Sequence, residues 1–189
     1  MRDGDGFLIT ATRPLGAAGP ADIHRADRDG TAPPSAADVP LEAPMHAAVY
    51  SARPDINAIC RTHSPEAVRA GAGGQVPPLT HGLGGLAGEV RLSGRIDLVT
   101  DAEAGREIAE ALGGADCLLI RANGAIATGA GLAGAVVRAH YLEERCRVSA
   151  GIPAGRAIPP EELEPRSRWF EKESARAWAW MKWRYGPHP

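Results

Sequence analysis

The chain has 189 residues, of which 44% are hydrophobic and 23% charged, with a formal charge of −2. That length suits one domain with a substantial core, with room for an appendage. The near-neutral balance of mixed signs excludes an electrostatic footprint for nucleic acid or an anionic membrane. The polar start, Met1-Arg-Asp-Gly-Asp-Gly6, and the lack of any run of roughly 18 apolar residues lead us to expect neither a secretory leader nor a membrane span, hence a cytoplasmic protein. Cys60, Cys117 and Cys146, an odd number in apolar or helical settings, read as reduced core residues and not as a disulfide framework.

Phe7-Leu-Ile-Thr10 is expected to be a strand entered through Asp-Gly. Residues 11 to 41 are rich in Gly, Pro, Asp and Ala, with one strand element around Ala21 to His24 and a hairpin-like turn at Asp29-Gly30. A helix then starts near Glu42 and runs to about Arg53; Pro44 fits only because it falls in the first turn. Arg53-Pro-Asp55 ends it, and Ile56 to Cys60 follows as a short buried strand. Pro65 to Ala70 reads as a short helix closed by Gly71-Ala-Gly-Gly74.

Val76 to His81 is expected to be a strand with a polar end, and Glu89–Leu92 and Ile96–Thr100 a strand pair around Ser93-Gly94. Asp101 is a fitting N-cap for a helix from Ala102 to Leu112, stopped by Gly113-Gly114. Cys117 to Ile120 is an unbroken apolar run, the pattern of a central strand. It ends in Arg121-Ala-Asn-Gly124, and Ala125 to Thr128 returns. A long helix over about Leu132 to Ser149 is expected to bury Leu132, Val136, Ala139 and Leu142. Beyond Pro159-Pro160 the character changes: Trp169, Trp178, Trp180 and Trp183 fall on a charged helix expected from about Ser167 to Tyr185, suited to packing or a subunit interface. We expect a domain over 1–155 and a Trp-rich helical extension over 156–189.

Strands alternating with helices argue for an α/β sandwich with a cleft at one sheet edge. Side chains on alternate residues leave a strand on the same side, so Arg61 and His63 share one space and Thr62 points away. A carboxylate, another His and an Asn elsewhere in the chain are available to close that space.

The motifs Phe7-Leu-Ile-Thr, Glu42-x-x-x-His46-x-x-x-Tyr50, Arg53-Pro-Asp-x-Asn-Ala-Ile, x-Thr-His63-Ser-Pro and Leu142-Glu-x-x-Cys146 occur in an order that resembles the class II aldolase/adducin family over roughly residues 6 to 150. The resemblance implies a three-layer αβα sandwich around a mostly antiparallel sheet. It also implies a cyclic homotetramer and chemistry in which a divalent metal, generally Zn²⁺, stabilises an enediolate. Enzymes of that family include sugar-phosphate aldolases, epimerases and decarboxylases. By the resemblance the family's first helix and its Gly-Asn loop would precede Phe7, and we expect this chain to lack them.

Against the pattern of three His ligands, this chain has Arg61, His63 and Asn123 at the corresponding positions. Arginine offers no lone pair and a catalytic zinc takes three protein ligands, so we expect no metal by the family pattern. Zinc or iron would need a rearranged site built from His63 and His81 with Glu42 or His46. Where the family places Thr-Gly and Ser-Ser to hold a phosphate, this chain has Thr12-Arg13 and Pro40-Leu41, which points to a non-phosphorylated substrate.

By the resemblance Glu42 is the acid/base; without it, Glu42 is a first-turn carboxylate favoured by the helix dipole. Arg61 is either a fixed cation in place of the metal, gripping a carboxylate or enolate, or a loop residue paired to an acid. His63 is read as a site residue or a satisfied strand-end histidine. His81, Asn123, Arg13 and Tyr50 are candidate substrate contacts, with Asn123 also fit to cap its turn and Arg13 to be a solvated loop residue. His24 and His140 carry no motif and read as structural. The expected activity is a carbon–carbon lyase or epimerase acting through an enolate on a small carboxylated or hydroxylated metabolite. The alternative is a non-catalytic, adducin-like scaffold or binding module.

Overall fold

The structure, a computed structural model, describes residues 1–36, 38–153, 156–159, 161–162, 165 and 170–186. The expected helix start at Ser167, Trp169, Pro160 and the expected boundary at 155 lie outside the described residues.

Two sheets organise the chain. The first is a small antiparallel sheet of β1 (Arg2–Asp3), β2 (Gly6–Thr10) and β3 (Ile23–Ala26), in that order. Phe7 and Ile9 of β2 are buried. No motif marks Arg2 as an anchor, yet its guanidinium donates to the Ile56, Tyr50 and Arg53 carbonyls at 3.1, 2.8 and 3.1 Å. It thereby ties the first sheet to the C-terminal end of α1 (Ala43–Ala52).

The second sheet has the order β4 (Ala58–Thr62), β7 (Ala125–Gly129), β6 (Cys117–Ile120), β5 (Val90–Ser93). β4 and β6 each pair antiparallel with β7, whereas β5 runs parallel to β6. α1 and α3 (Ala102–Leu112) cover one face, burying Met45, Val49, Ile108 and Leu112 against Leu118, Ile120 and Ile126. α2 (Pro65–Ala72), α4 (Leu132–Ser149) and the 3-10 turn Leu83–Ala87 lie on the other, where Leu119, Ala125 and Ala127 meet Ala67, Ala139, Leu142 and Cys146. The three-layer, mostly antiparallel αβα expectation therefore describes this sheet, with the first strand in a separate one. α5 (Phe170–Tyr185) packs outside α4 through Ala177 and Met181 against Val137.

α1 and α3 approach closely because their contact is made of small residues: a Cβ at Gly105 would sit 2.8 Å from the Pro44 carbonyl. Arg53, capping α1, donates to the Gly113 and Ala115 carbonyls at 2.7 and 3.0 Å while holding Asp55 through two nitrogens. The Arg-Pro-Asp motif is thus a clamp between α1 and the α3–β6 link.

Asp101 caps α3 as expected, accepting from the Ala104 N–H at 2.8 Å. Asp101→Ala should lower stability by about 1 kcal/mol, read as a drop in the urea midpoint at constant slope.

Four expectations need correction. Val76 to His81 is not a strand but an irregular segment leading into the 3-10 turn; Pro77 and Pro78 lack the N–H groups a ladder needs. Ile96 to Thr100 is not a strand either, because β5 pairs with the distant β6 and not with its sequence neighbour. The strand expected over Ile56 to Cys60 begins and ends two residues later, which places Arg61 inside β4. In α4 the buried face carries Ala135, Val137, Ala139, Leu142 and Cys146, while Leu132 is half-exposed and Val136 only partly covered.

Candidate active site

β4 delivers the site. Ile59 packs into the core beneath α1, and Cys60 into the core beneath α4, so the alternation of the strand puts Arg61 on the α1 side. There Arg61 Nε donates to Glu42 Oε2 at 3.1 Å, and the two side chains are only 11% and 13% exposed. Glu42 stands at the N-cap of α1 without capping it; its side chain makes no bond to the helix N–H groups. Its carboxylate is turned to Arg61 instead.

The guanidinium is held from behind. Nη1 donates to the Thr62 carbonyl at 2.6 Å and reaches the Ala125 carbonyl at 3.4 Å. Gly124, at φ +80, makes this fit possible: a Cβ there would run into the Thr62 carbonyl and lie 2.9 Å from Arg61 Nη1. Two atoms of the pair are left over. Arg61 Nη2 and Glu42 Oε1 are both buried and have no partner among the described residues. A buried donor and acceptor without partners cost about 1–3 kcal/mol each, so such atoms mark a place that takes a ligand or water.

His46, one turn after Glu42, lies beside the pair. Its ring stacks on Phe7 with centroids 6.1 Å apart. Burial pushes its pKa down to about 4, and the positive charges of the Met1 ammonium and Arg61 act in the same direction. His46 is therefore a neutral imidazole at ordinary pH. Tyr50 belongs to the packing behind the site: its ring contacts Phe7 at 5.4 Å and lies under the Arg2 guanidinium at 5.0 Å. Burial pushes its hydroxyl up to about 12, against the pull of Arg2. Two turns of helix, roughly 12 Å, separate it from Glu42.

The other candidates divide. Asn123 sits in the β6–β7 turn beside Gly124, with its N–H bonded to the Ile120 carbonyl at 2.9 Å and its side-chain nitrogen buried without a partner among the described residues. His63, just past β4, is exposed, and its Cα lies 3.0 Å from where a Gly124 Cβ would be. These two share the strand-end region with Arg61. His81 does not join it: its Nε2 meets Glu144 Oε1 of α4 at 3.1 Å, on the opposite layer. Arg13 is engaged by Asp22 at 2.9 Å and Asp38 at 3.6 Å, beside the first sheet. His24 pairs with Asp38 at 2.7 Å, and His140 packs against Tyr141 and Trp180.

Among the described residues, no three His, Cys, Asp or Glu side chains come together as a metal-holding group. The donor set at the strand end explains why a zinc of the expected kind does not fit. The first position is a cation whose Nε–H already engages the Glu42 carboxylate. The third is a neutral amide, and only His63 remains an imidazole. What the arrangement offers is a fixed cation and a carboxylate with one free atom each, next to a neutral imidazole.

Residues 1–150 match the family described as "Class II Aldolase and Adducin N-terminal domain". The 3,4-dihydroxyphthalate decarboxylase of Rhodococcus jostii (strain RHA1) is 30% identical over 144 residues, covering 70% of this chain and 59% of that protein. The chain thus spans less than two thirds of that relative's length. Among solved structures, an aldolase II superfamily protein from Pseudomonas syringae superposes with a TM-score of 0.71 at 21% identity, over 93% of this chain and 76% of that one. The L-fuculose-1-phosphate aldolase from Thermus thermophilus gives 0.64 at 26% identity, over 78% of each chain.

Proposed function

The chain belongs to the class II aldolase and adducin family, and from that premise we propose that it is a carbon–carbon lyase that works through an enolate without the family's metal. Its named relatives include an aldolase and a decarboxylase, both lyases. The observation that carries the proposal is the buried Glu42–Arg61 pair with one free acceptor and one free donor.

In this reading the oxygen that gains charge in the reaction, a carbonyl or carboxylate oxygen of the substrate, accepts a hydrogen bond from Arg61 Nη2. A permanent, fixed cation there stabilises the developing enolate as the bond breaks. In a retro-aldol cleavage Glu42 Oε1 takes the hydroxyl proton, the carbon–carbon bond breaks, and its electron pair moves to the oxygen at Arg61. Glu42 then returns the proton to the enolate carbon. In a decarboxylation carbon dioxide leaves with the bond broken, the pair moves to the same oxygen, and Glu42 relays one solvent proton to the carbon. His63 and Asn123 supply polar contacts at the strand end.

The substrate class is a small carboxylated or hydroxylated compound lacking phosphate. Arg13, the cation nearest to a phosphate role in the N-terminal region, is shared between Asp22 and Asp38, and Pro40-Leu41 offers no side-chain donor. The division into a catalytic domain over 1–155 and an extension over 156–189, a homotetrameric assembly, and a cytoplasmic setting belong to the same proposal. The family match ending at residue 150 supports the first of these. Among the described residues no helix is long and apolar enough to cross a membrane.

Metal analysis joined to a turnover screen tests the mechanism. Purified protein, offered a panel of small hydroxy and oxo acids, should turn over at least one, with less than stoichiometric zinc or iron and no loss on treatment with a chelator. One metal per chain whose removal abolishes turnover would overturn the arginine-for-metal reading. Binding without turnover across the panel would leave the scaffold or binding module in its place.

A further inference from the structure

One well-formed cavity lies away from Glu42 and Arg61. It is a pocket of about 510 Å³ on the opposite face of the sheet, between the end of β4, α4 and α5. The same alternation that sends Arg61 toward α1 sends Cys60, Thr62 and Ser64 into this pocket. The sheet therefore stands between the two sites.

The walls are apolar and partly aromatic: Val136 and Ala139 of α4 face Trp178 and Met181 of α5. Volumes of this size are typical of small-molecule sites, where a few polar groups set orientation. The polar side chains on the wall are those of Thr62, Ser64, His140, Glu143, Lys182 and Tyr185. The Ser64 hydroxyl is buried and has no partner among the described residues. Glu143 also lines the pocket, but its two oxygens accept from the Glu66 and Ala67 N–H groups at 3.0 and 2.9 Å, so its charge is spent on the N-terminus of α2. Lys182 lines the pocket and is exposed to solvent, with Nζ 5.9 Å from the Trp178 ring centroid. The pocket thus combines apolar walls, the buried Ser64 hydroxyl without a partner among the described residues, and the exposed Lys182 cation.

We propose that this pocket is a second binding site, for a one- or two-ring aromatic acid. The rings lie between Trp178, Met181 and Val136, the acid group meets Lys182, and a polar substituent pairs with the Ser64 hydroxyl. A basic ligand is disfavoured, because Glu143, the one carboxylate lining the pocket among the described residues, is already engaged by two backbone N–H groups. A ligand held there bridges β4 to the C-terminal helix and touches Cys60 and Thr62, the two neighbours of Arg61 in the strand.

2-Naphthoate, a two-ring aromatic acid whose own fluorescence changes on passing from water to an apolar site, is the probe. Titration of the full chain should show one saturable site per chain. Lys182→Glu, a change at an exposed residue that leaves the fold intact, should weaken binding about tenfold and reverse the sign of its salt dependence. Ala139→Phe, which fills the pocket, should abolish binding while native circular dichroism is retained. Glu42→Gln should bind the probe like wild type, which separates this site from the proposed catalytic one. The absence of saturable binding, or an affinity unchanged by Lys182→Glu, would overturn the proposal.

Discussion

Glu42→Gln should reduce turnover by roughly 10²–10⁴-fold while leaving the fold intact. The amide keeps the shape of the carboxylate, and its oxygen still accepts from Arg61 Nε, the contact now at 3.1 Å. It cannot take or return a proton, so the loss should fall on kcat and not on KM. Arg61→Lys makes the complementary test. It keeps the positive charge but loses the planar fork that serves Glu42, the Thr62 carbonyl and a free Nη2 at once. An ammonium on a flexible stem cannot reproduce that geometry, and turnover should fall about a hundredfold. Arg61→Ala is less informative, because it strands a buried carboxylate and destabilises the protein by about 3 kcal/mol. The double variant Glu42→Gln/Arg61→Lys should be little worse than the poorer single variant, since the two groups act as a unit. Turnover within about threefold of wild type in Glu42→Gln, far short of a lost general acid/base, would remove Glu42 from the chemistry. Full additivity in the cycle would show that the pair does not work together.

Much of the fold was legible because local signals and long-range packing agree. Asp101 before an amphipathic run gave the α3 start, and the unbroken Cys117–Ile120 run gave the central β6 with all four residues buried. The expectations that failed are those where pairing is non-local. Ser93-Gly94 looks like the turn of a hairpin, yet Val90–Ser93 runs parallel to Cys117–Ile120 across α3. A parallel crossover leaves no sign in the turn between neighbours. Val76 to His81 reads as a strand with a polar end, but its two prolines remove the donors.

The site divides in the same way. That Arg61 and Thr62 leave β4 on opposite faces follows from the period of two alone, and the structure sends Thr62 to the far pocket. Which carboxylate meets Arg61 is not in the period; it comes from the packing of α1 on the sheet, and for Glu42 the family pattern was the guide. His81 shows the limit of sequence reading: a candidate substrate contact by residue type, it is held by Glu144, which carries no motif, on the other layer. Arg2 gave no warning at all, because three carbonyl partners at a helix C-terminus are a property of the tertiary fold.

The second large effect is expected in acid, and it comes from His46. Burial holds this imidazole at a pKa of about 4 in the folded chain, against an ordinary value of 6.5. The native state therefore binds its proton later than the unfolded chain as pH falls. Above 6.5 neither state is protonated and His46 adds no pH dependence. Between 6.5 and 4 only the unfolded state takes up the proton, so stability drops as the pH is lowered. Below about 4 both are protonated and the slope ends. The gap corresponds to roughly 3 kcal/mol across that window, a large share of the stability of a domain this size. The charged form is also opposed by the fixed cation of Arg61 beside it, and screening by salt is weak for a group packed on Phe7. Urea unfolding at about pH 7.5 and about pH 4, on wild type and His46→Gln, isolates the term, because the carboxylates contribute to both proteins alike. Wild type should lose about 3 kcal/mol more than the variant between the two pH values. Equal losses would mean that His46 protonates in the folded protein near its ordinary value, and the picture of a neutral imidazole beside the Glu42–Arg61 pair would fail with it.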